Sequence, residues 1–200
     1  KTNNMFLKEK KLYVKIPNYK FYTITEIITN VIKYINKINK YQSIKIALYG
    51  ITNKKIQALI DGLLLGSYDF VRYKSKIKEI KLKEIFIANE NYQELQISYE
   101  EIKLKINNHI IINKNINLTR EIINSVADDT TPEKISNWIK EELENTNIEC
   151  LIKDKNYIRT ELPAFYDISK GSTNQPNLVH LKYNEHKEFK KIVLIGKGVT

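Results

Sequence analysis

The sequence is poor in cysteine, glycine and proline, with one cysteine, six glycines and four prolines in 200 residues. The single cysteine, Cys150, excludes an intramolecular disulfide. It lies in an apolar stretch typical of a strand, so we expect a small buried residue and not a nucleophile. The glycines are scattered, and none precedes Gly196-Lys197-Gly198 at the spacing of a phosphate-binding loop. A nucleotide-binding module of that kind is therefore excluded.

Long apolar runs are also missing. No run approaches the roughly 18 residues that a membrane span requires, and the amino-terminal stretch has no signal-peptide core. The composition, 42% hydrophobic and 28% charged, is ordinary for a globular chain with one or two domains. We expect a cytoplasmic protein with no membrane partner.

Arginine is scarce although the chain is basic. The formal net charge is +10, and only Arg72, Arg120 and Arg159 accompany the lysines. A basic surface favours nucleic-acid binding at low salt, but bidentate reading of bases uses arginine more than lysine. The densest basic run, residues 72–83, alternates lysine with apolar residues in part, which is typical of a solvated strand or loop face. A nucleic-acid-binding or assembly module of α/β fold stays the alternative function.

Strand and helix patterns alternate along the chain, which predicts an α/β fold with a largely parallel or mixed sheet. Apolar residues recur at helical spacing from Ile24 to Ile38, and Thr131-Pro132-Glu133 has the composition of a capped helix start. Ile135, Trp138, Ile139 and Leu143 are expected to form the buried face of that later helix. Strands are predicted at 12–16, 44–49, 83–88, 148–153, 178–183 and 192–195, and further helices at 54–70 and 99–125.

Two glycines, Gly62 and Gly66, lie four residues apart on one face of the predicted helix 54–70. Each glycine weakens a helix by about 1 kcal/mol relative to alanine, so we expect tight packing against a neighbouring element in return.

Polar residues occupy one part of the long predicted helix 99–125, namely His109, Asn113, Asn117 and Arg120. They could be ligands or an interdomain hydrogen-bond network. The network is favoured because no carboxylate pair accompanies the lone histidine. His180 and His186 flank a strand end, where a surface or core role is favoured over zinc binding.

The last residues combine an apolar stretch, 192–195, with Gly196-Lys197-Gly198. The stretch fits a strand buried on both faces of a parallel sheet, and ligand sites in open α/β sheets lie beyond the carboxyl ends of strands. Taken alone, Lys197 is an exposed lysine at a strand end. Its neighbours along the chain change this interpretation.

Four motifs occur in order: Asn117-Leu-Thr-Arg-Glu-Ile-Ile-Asn124, Asp128-Asp-Thr-Thr-Pro132, the segment 169–183 with Gly171-Ser-Thr-Asn-Gln-Pro176, and Ile195-Gly-Lys-Gly-Val-Thr200. This series resembles the leucyl aminopeptidase (cytosol aminopeptidase) family of dinuclear metallopeptidases. Residues 64–75 resemble a stretch of the family's amino-terminal domain. Three positions depart from the family pattern: Val126 replaces a proline, Asp128 an asparagine and Lys170 a glycine.

The resemblance implies an amino-terminal mixed α/β/α (macro-like) domain at 1–97, incomplete at its start. A long connecting helix would follow at 98–127, and the beginning of a second α/β metallopeptidase domain at 128–200. It also implies a metal-dependent aminopeptidase that prefers leucine-like amino-terminal residues of peptides and assembles as a homohexamer.

Within this chain the resemblance assigns one metal ligand, Lys197, and no catalytic or cofactor-binding residue. An amine can bind a metal only when unprotonated, so two nearby dications must lower its pKa far below about 10.4. The intact enzyme would hold two divalent ions, Mn²⁺ or Zn²⁺, with Mg²⁺ as a third option. The other ligands are expected downstream of residue 200, so we expect this fragment to be inactive and to bind no metal.

Overall fold

The computed structural model describes residues 5–8, 11–14, 20–48, 53–89, 98–183 and 190–198. The chain divides into two compact units, Lys1–Glu121 and Ile122–Thr200. This division falls within the range predicted for the connecting helix, and the predicted domain limits themselves stay a prediction. The described elements of the first unit are β1 (Met5–Lys8), β2 (Lys11–Val14), α1 (Phe21–Ile38), β3 (Ser43–Leu48), α2 (Asn53–Gly66), β4 (Glu84–Asn89) and α3 (Tyr99–Asn124), whose last three residues enter the second unit.

Both strand orientations are present in the first unit, which confirms the predicted α/β class. β1 and β2 are antiparallel, whereas β3 and β4 are parallel with Ser43 opposite Glu84. The predicted strands at 12–16, 44–49 and 83–88 are found, with the described ends shifted by one residue. Residues 15, 16 and 49 lie outside the described part of the chain.

The core of the first unit lies between α1 and α2. Ile24, Ile28 and Ile32 of α1 are buried against Ala58, Leu59 and Leu63 of α2, and apolar residues of β3 and β4 pack on the same cluster. The predicted apolar stripe of α1 is therefore confirmed, except at its end. Ile38 is exposed because the helix stops there: Asn39 takes a left-handed conformation, with φ of 53°, and its amide donates to the carbonyl of Ile35.

Gly62 and Gly66 lie where α1 and α2 approach most closely. A Cβ at Gly62 would fall 2.6 Å from Cβ of Ile28, and one at Gly66 would fall 2.8 Å from Cβ of Ile32. The hydroxyl of Thr29 donates across this contact to the carbonyl of Gly62 at 3.3 Å. The predicted tight packing of the glycine face is confirmed.

α2 ends at Gly66, four residues before the predicted end. Glycine is a weak helix former, and the hydroxyl of Ser67 donates to the carbonyl of Leu63 at 2.9 Å, which satisfies an acceptor of the last turn. Residues 67–83 then run without helix or strand, and 72–79 are all exposed. The basic run is therefore a solvated loop, as predicted.

The second unit consists of short elements around a strand pair. They are a 3₁₀ turn (Ala127–Asp129), α4 (Pro132–Leu143), β5 (Ile148–Lys153), α5 (Lys155–Glu161), α6 (Pro163–Ser169) and β6 (Leu178–Tyr183). β5 and β6 are antiparallel, with Cys150 opposite Leu181. Both predicted strands are confirmed. The predicted start of α4 is confirmed as well, since the Thr131 hydroxyl accepts a hydrogen bond from the amide of Lys134.

The four apolar residues predicted to be the buried face of α4 are only half-buried. The one residue of this helix that is buried is Ser136. Ser136 donates to the carbonyl of Pro132 at 2.6 Å and accepts from Asn177 at 3.2 Å. The Ser136 hydroxyl makes both of these hydrogen bonds, whereas an apolar side chain at this position would leave the amide of Asn177 without this acceptor.

α5 and α6 were not predicted. Asp154 caps α5 by accepting from the amide of Tyr157 at 3.0 Å, and Pro163 begins α6 directly after Leu162. Both helices have seven residues, which is two turns and too short for a helical apolar period to stand out. None of the described helices combines the length and apolar character that a bilayer crossing demands.

Candidate functional site

The segment that carries Lys197 is not a strand in this structure. Residues 190–198 have neither helix nor strand, and Ile192 and Leu194 are 87% and 92% exposed. The predicted buried strand at 192–195 is therefore wrong for the described chain. A strand needs a neighbour to pair its amides and carbonyls, and no strand that the structure describes is paired with residues 192–195.

Lys197 is exposed between two glycines that have open space around them. Within the described ranges, no three His, Cys, Asp or Glu side chains gather into a group that could hold a metal ion. The described residues therefore offer Lys197 as a single candidate ligand and do not form a metal site by themselves. Its role as a ligand stays a prediction.

The polar residues of the long helix do form a network. The carboxylate oxygen Oδ1 of Asp61, on α2, lies 2.6 Å from Nδ1 of His109 and accepts from Nδ2 of Asn113 at 2.6 Å. The Asn113 amide also donates to the carbonyl of His109 at 2.8 Å, and Asn113 is only 1% exposed. A carboxylate that accepts two hydrogen bonds fixes α3 against α2 at this point.

Arg120 extends the contact between α2 and α3 further along α3. Its guanidinium donates to Oδ1 of Asn117 at 3.2 Å and to the carbonyl of Leu65 at 3.4 Å, and it lies over the ring of Tyr68 at 5.4 Å. The predicted hydrogen-bond network is confirmed, but it is not interdomain. Its described partners, on α2 and just after it, belong to the first unit together with these residues of α3.

Sequence reasoning missed Asp61 as the centre of this network. Asp61 and His109 are 48 positions apart, and no motif or period links them. One hint of this role is present in the sequence: Asp61 is a carboxylate on the same face of α2 as Ala58 and Leu65.

Neither His180 nor Cys150 belongs to a possible metal-binding group among the described residues. His180 is exposed in β6 opposite Leu151, and His186 lies outside the described residues. Cys150 is a free thiol that is only half-buried, where we expected full burial. In the described structure its strand has a single neighbour, β6, and a two-stranded sheet shields its residues less than a larger one.

The three departures from the family pattern leave ordinary backbone geometry. Val126 has φ of −68°, the value that a proline ring imposes, so the loop keeps a proline-like conformation without proline. Lys170 has φ of −59°, which requires no glycine. The carbonyl of Asp128 accepts from Nζ of Lys134 at 2.6 Å.

The described helices and strands define an α/β protein. The model of the cytosol aminopeptidase family's catalytic domain matches residues 117–200. A probable cytosol aminopeptidase of Helicobacter hepaticus is 36% identical over 163 residues, which are 80% of this chain and 33% of that protein. Its counterpart in Campylobacter jejuni is 30% identical over 201 residues, 97% of this chain and 41% of that protein. The chain thus spans well under half the length of these relatives.

Solved structures agree on the fold. A tomato leucine aminopeptidase variant matches with a TM-score of 0.71 and 19% identity, over 88% of this chain and 37% of that one. The bottromycin maturation enzyme BotP in complex with Mn matches with a TM-score of 0.64 and 17% identity, over 84% of this chain and 34% of that one. The chain belongs to the leucyl aminopeptidase (cytosol aminopeptidase) family.

Proposed function

We propose that this chain is part of a metal-dependent aminopeptidase that releases amino-terminal residues, leucine-like ones preferred, from peptides. One observation carries the proposal: the match to the family's catalytic domain includes Gly196-Lys197-Gly198. The relatives' names support aminopeptidase action. The comparisons do not favour the alternative of a nucleic-acid-binding or assembly module.

Lys197 is the residue that we propose as a metal ligand. Its exposed amine, with no bulky flanking side chain, can approach an ion freely, and as a neutral amine it would donate its lone pair. Two bound divalent cations, Mn²⁺ or Zn²⁺ or else Mg²⁺, would supply Lewis-acid polarisation of the scissile carbonyl and an acidified water. BotP, a protein of the same fold, is described in complex with Mn, which agrees with a divalent metal.

The described residues set a limit on what the chain can do by itself. The described residues contain no group of three His, Cys, Asp or Glu side chains that could hold an ion together with Lys197, and metal sites of this kind need several oxygen or nitrogen ligands. We therefore propose that the 200-residue chain has no peptidase activity. We further propose that the intact protein is a cytoplasmic homohexamer acting on peptide substrates.

A comparison of two proteins tests the proposal. The intact gene product and the 200-residue chain are each assayed on a leucyl anilide, with and without added Mn²⁺ or Zn²⁺. We expect hydrolysis by the intact protein that a chelator abolishes, and none by the short chain. Turnover by the short chain, or chelator-resistant turnover by the intact protein, would contradict the proposal.

A further inference from the structure

The loop after α2 and the end of α1 form a basic surface in the first unit. Residues 72–83 contain six basic residues and one acidic residue, Glu79, and all six basic residues are exposed. Three lysines in and just after the last turns of α1 are exposed as well, namely Lys33, Lys37 and Lys40. We call residues 72–83 together with these three lysines the basic loop surface.

Hydrogen bonds join the two parts of this surface. Asn39 donates through Nδ2 to the carbonyl of Glu79 at 2.9 Å and accepts through Oδ1 from the amide of Lys81 at 2.8 Å. Nζ of Lys78 donates to the carbonyl of Lys37 at 3.3 Å. The lysines of the loop and those of α1 therefore lie side by side.

Little of this positive charge is neutralised by the protein itself. Lys74 pairs with Asp69 at 2.8 Å, and Lys83 lies 3.5 Å from Glu79. Six other lysines of the surface form no ion pair with any carboxylate that the structure describes: Lys33, Lys37, Lys40, Lys76, Lys78 and Lys81. Like charges held together repel each other, and a polyanion placed against them relieves this repulsion. The basic loop surface is therefore complementary to a polyanion.

Apolar side chains lie among these lysines. Ile77, between Lys76 and Lys78, is 63% exposed, and Tyr73 is 47% exposed. Lysines combined with exposed aliphatic and aromatic groups are typical of segments that bind at a membrane interface, where charges meet anionic headgroups and apolar groups enter the acyl boundary. The phosphate backbone of DNA gives an isoleucine little to contact, and base reading favours arginine, of which the loop has only Arg72. An anionic membrane is therefore favoured over nucleic acid.

We propose that the basic loop surface binds peripherally to a membrane that contains anionic lipid. The lysines would lie at the headgroups, and Ile77 and Tyr73 would enter the interface. The proposal departs from the expectation of no membrane partner, because that expectation rested on missing membrane spans, and peripheral binding needs none. It does not depend on Lys197 or on the proposed peptidase activity.

Vesicle sedimentation of the 200-residue chain tests the proposal. Vesicles of phosphatidylcholine alone are compared with vesicles of phosphatidylcholine and phosphatidylserine at about three to one. We expect saturable binding to the anionic vesicles only. Most of it should be lost when salt is raised from about 0.1 M to about 1 M, which shortens the Debye length from about 10 Å to about 3 Å. Absence of binding at the lower salt, or equal binding to both kinds of vesicle, would overturn the proposal.

Two double variants with the same change in charge locate the contact. Lys76→Gln/Lys81→Gln should weaken binding to anionic vesicles at least about tenfold, because each lysine near such a surface contributes about fivefold. Lys103→Gln/Lys114→Gln, at exposed positions of α3, should weaken it far less. An equal loss in both double variants would show that only net charge matters and would contradict the assignment to this loop.

Ile77→Ser separates a membrane from a nucleic acid as the partner. The change removes no charge, so it should leave any attraction to duplex DNA unaltered. It should weaken vesicle binding about fivefold, because burial of even half an isoleucine side chain contributes about that much. If Ile77→Ser bound vesicles as well as the parent while the chain also bound duplex DNA, the surface would be a nucleic-acid surface and the proposal would fail.

Discussion

Replacement of Gly62 by alanine tests the packing on which the first unit depends. The new Cβ would lie 2.6 Å from Cβ of Ile28 and 2.8 Å from the carbonyl oxygen of Thr25. Real Cβ atoms essentially never come this close to other heavy atoms. Both neighbours are close to the backbone of α1, so neither can swing away as a flexible side-chain tip would. The helices must separate.

The magnitude follows from three effects. Alanine favours the helix by about 1 kcal/mol over glycine. Overpacking costs about 1–3 kcal/mol. Separation also weakens the hydrogen bonds from the hydroxyls of Thr25 and Thr29 to carbonyls of α2, each worth about 1 kcal/mol. We expect Gly62→Ala to lower the free energy of unfolding by about 2 kcal/mol.

Urea unfolding followed by far-UV circular dichroism measures this effect. Gly171→Ala is the matched control, because a Cβ at Gly171 meets nothing within 4 Å, and it should change stability by less than about 0.5 kcal/mol. If Gly62→Ala were as stable as the parent chain, or more stable, the proposed close approach of α1 and α2 would be wrong.

Three further changes probe single interactions. Asn113→Ala removes a buried donor to the carboxylate of Asp61, and we expect a loss of about 1–3 kcal/mol in urea unfolding. Asp154→Ala removes the cap of α5, and about 1 kcal/mol of stability should be lost. The hydrogen bond from Lys170 to Asp167 raises the pKa of Lys170 above 10.5. Because the protonated form makes this contact in the folded chain, its contribution is full below pH 10.5 and is lost as the pH rises through the raised pKa. In an NMR titration, Lys170 should deprotonate at higher pH than in the Asp167→Asn variant.

Each of these has a result that counts against it. Asn115→Ala, at an exposed position of the same helix, should cost far less than Asn113→Ala, and equal costs would mean that the buried network adds nothing. If Asp154→Ala left the free energy of unfolding unchanged, α5 would not depend on its cap. A Lys170 titration unmoved by Asp167→Asn would show that the contact does not persist in solution.

Helical periodicity was the strongest guide to the fold. The apolar stripe of α1 and the glycine pair of α2 each specify a face, and their packing follows because such faces must be covered. The cap at Thr131 gave the start of α4 correctly. These signals are local, so the sequence contains them in full.

Long-range pairings could not be predicted in the same way. The contact of Asp61 with His109 depends on how α2 and α3 pack, and neither residue type demands the other. The apolar stretch 192–195 has the composition of a strand, yet a strand forms only beside another strand, and no described strand is paired with it. Cys150 shows the same limit, since its half-burial depends on how many strands surround β5.

The most direct test concerns Lys197 in the intact gene product. Metal binding is measured by calorimetry with Mn²⁺ and with Zn²⁺, and hydrolysis with a leucyl anilide, for the parent, for Lys197→Ala and for Lys190→Ala as a matched exposed control. We predict that Lys197→Ala loses at least tenfold in affinity for one of two ions and nearly all hydrolysis, while the control matches the parent. Unchanged metal affinity and unchanged turnover in Lys197→Ala would contradict the assignment.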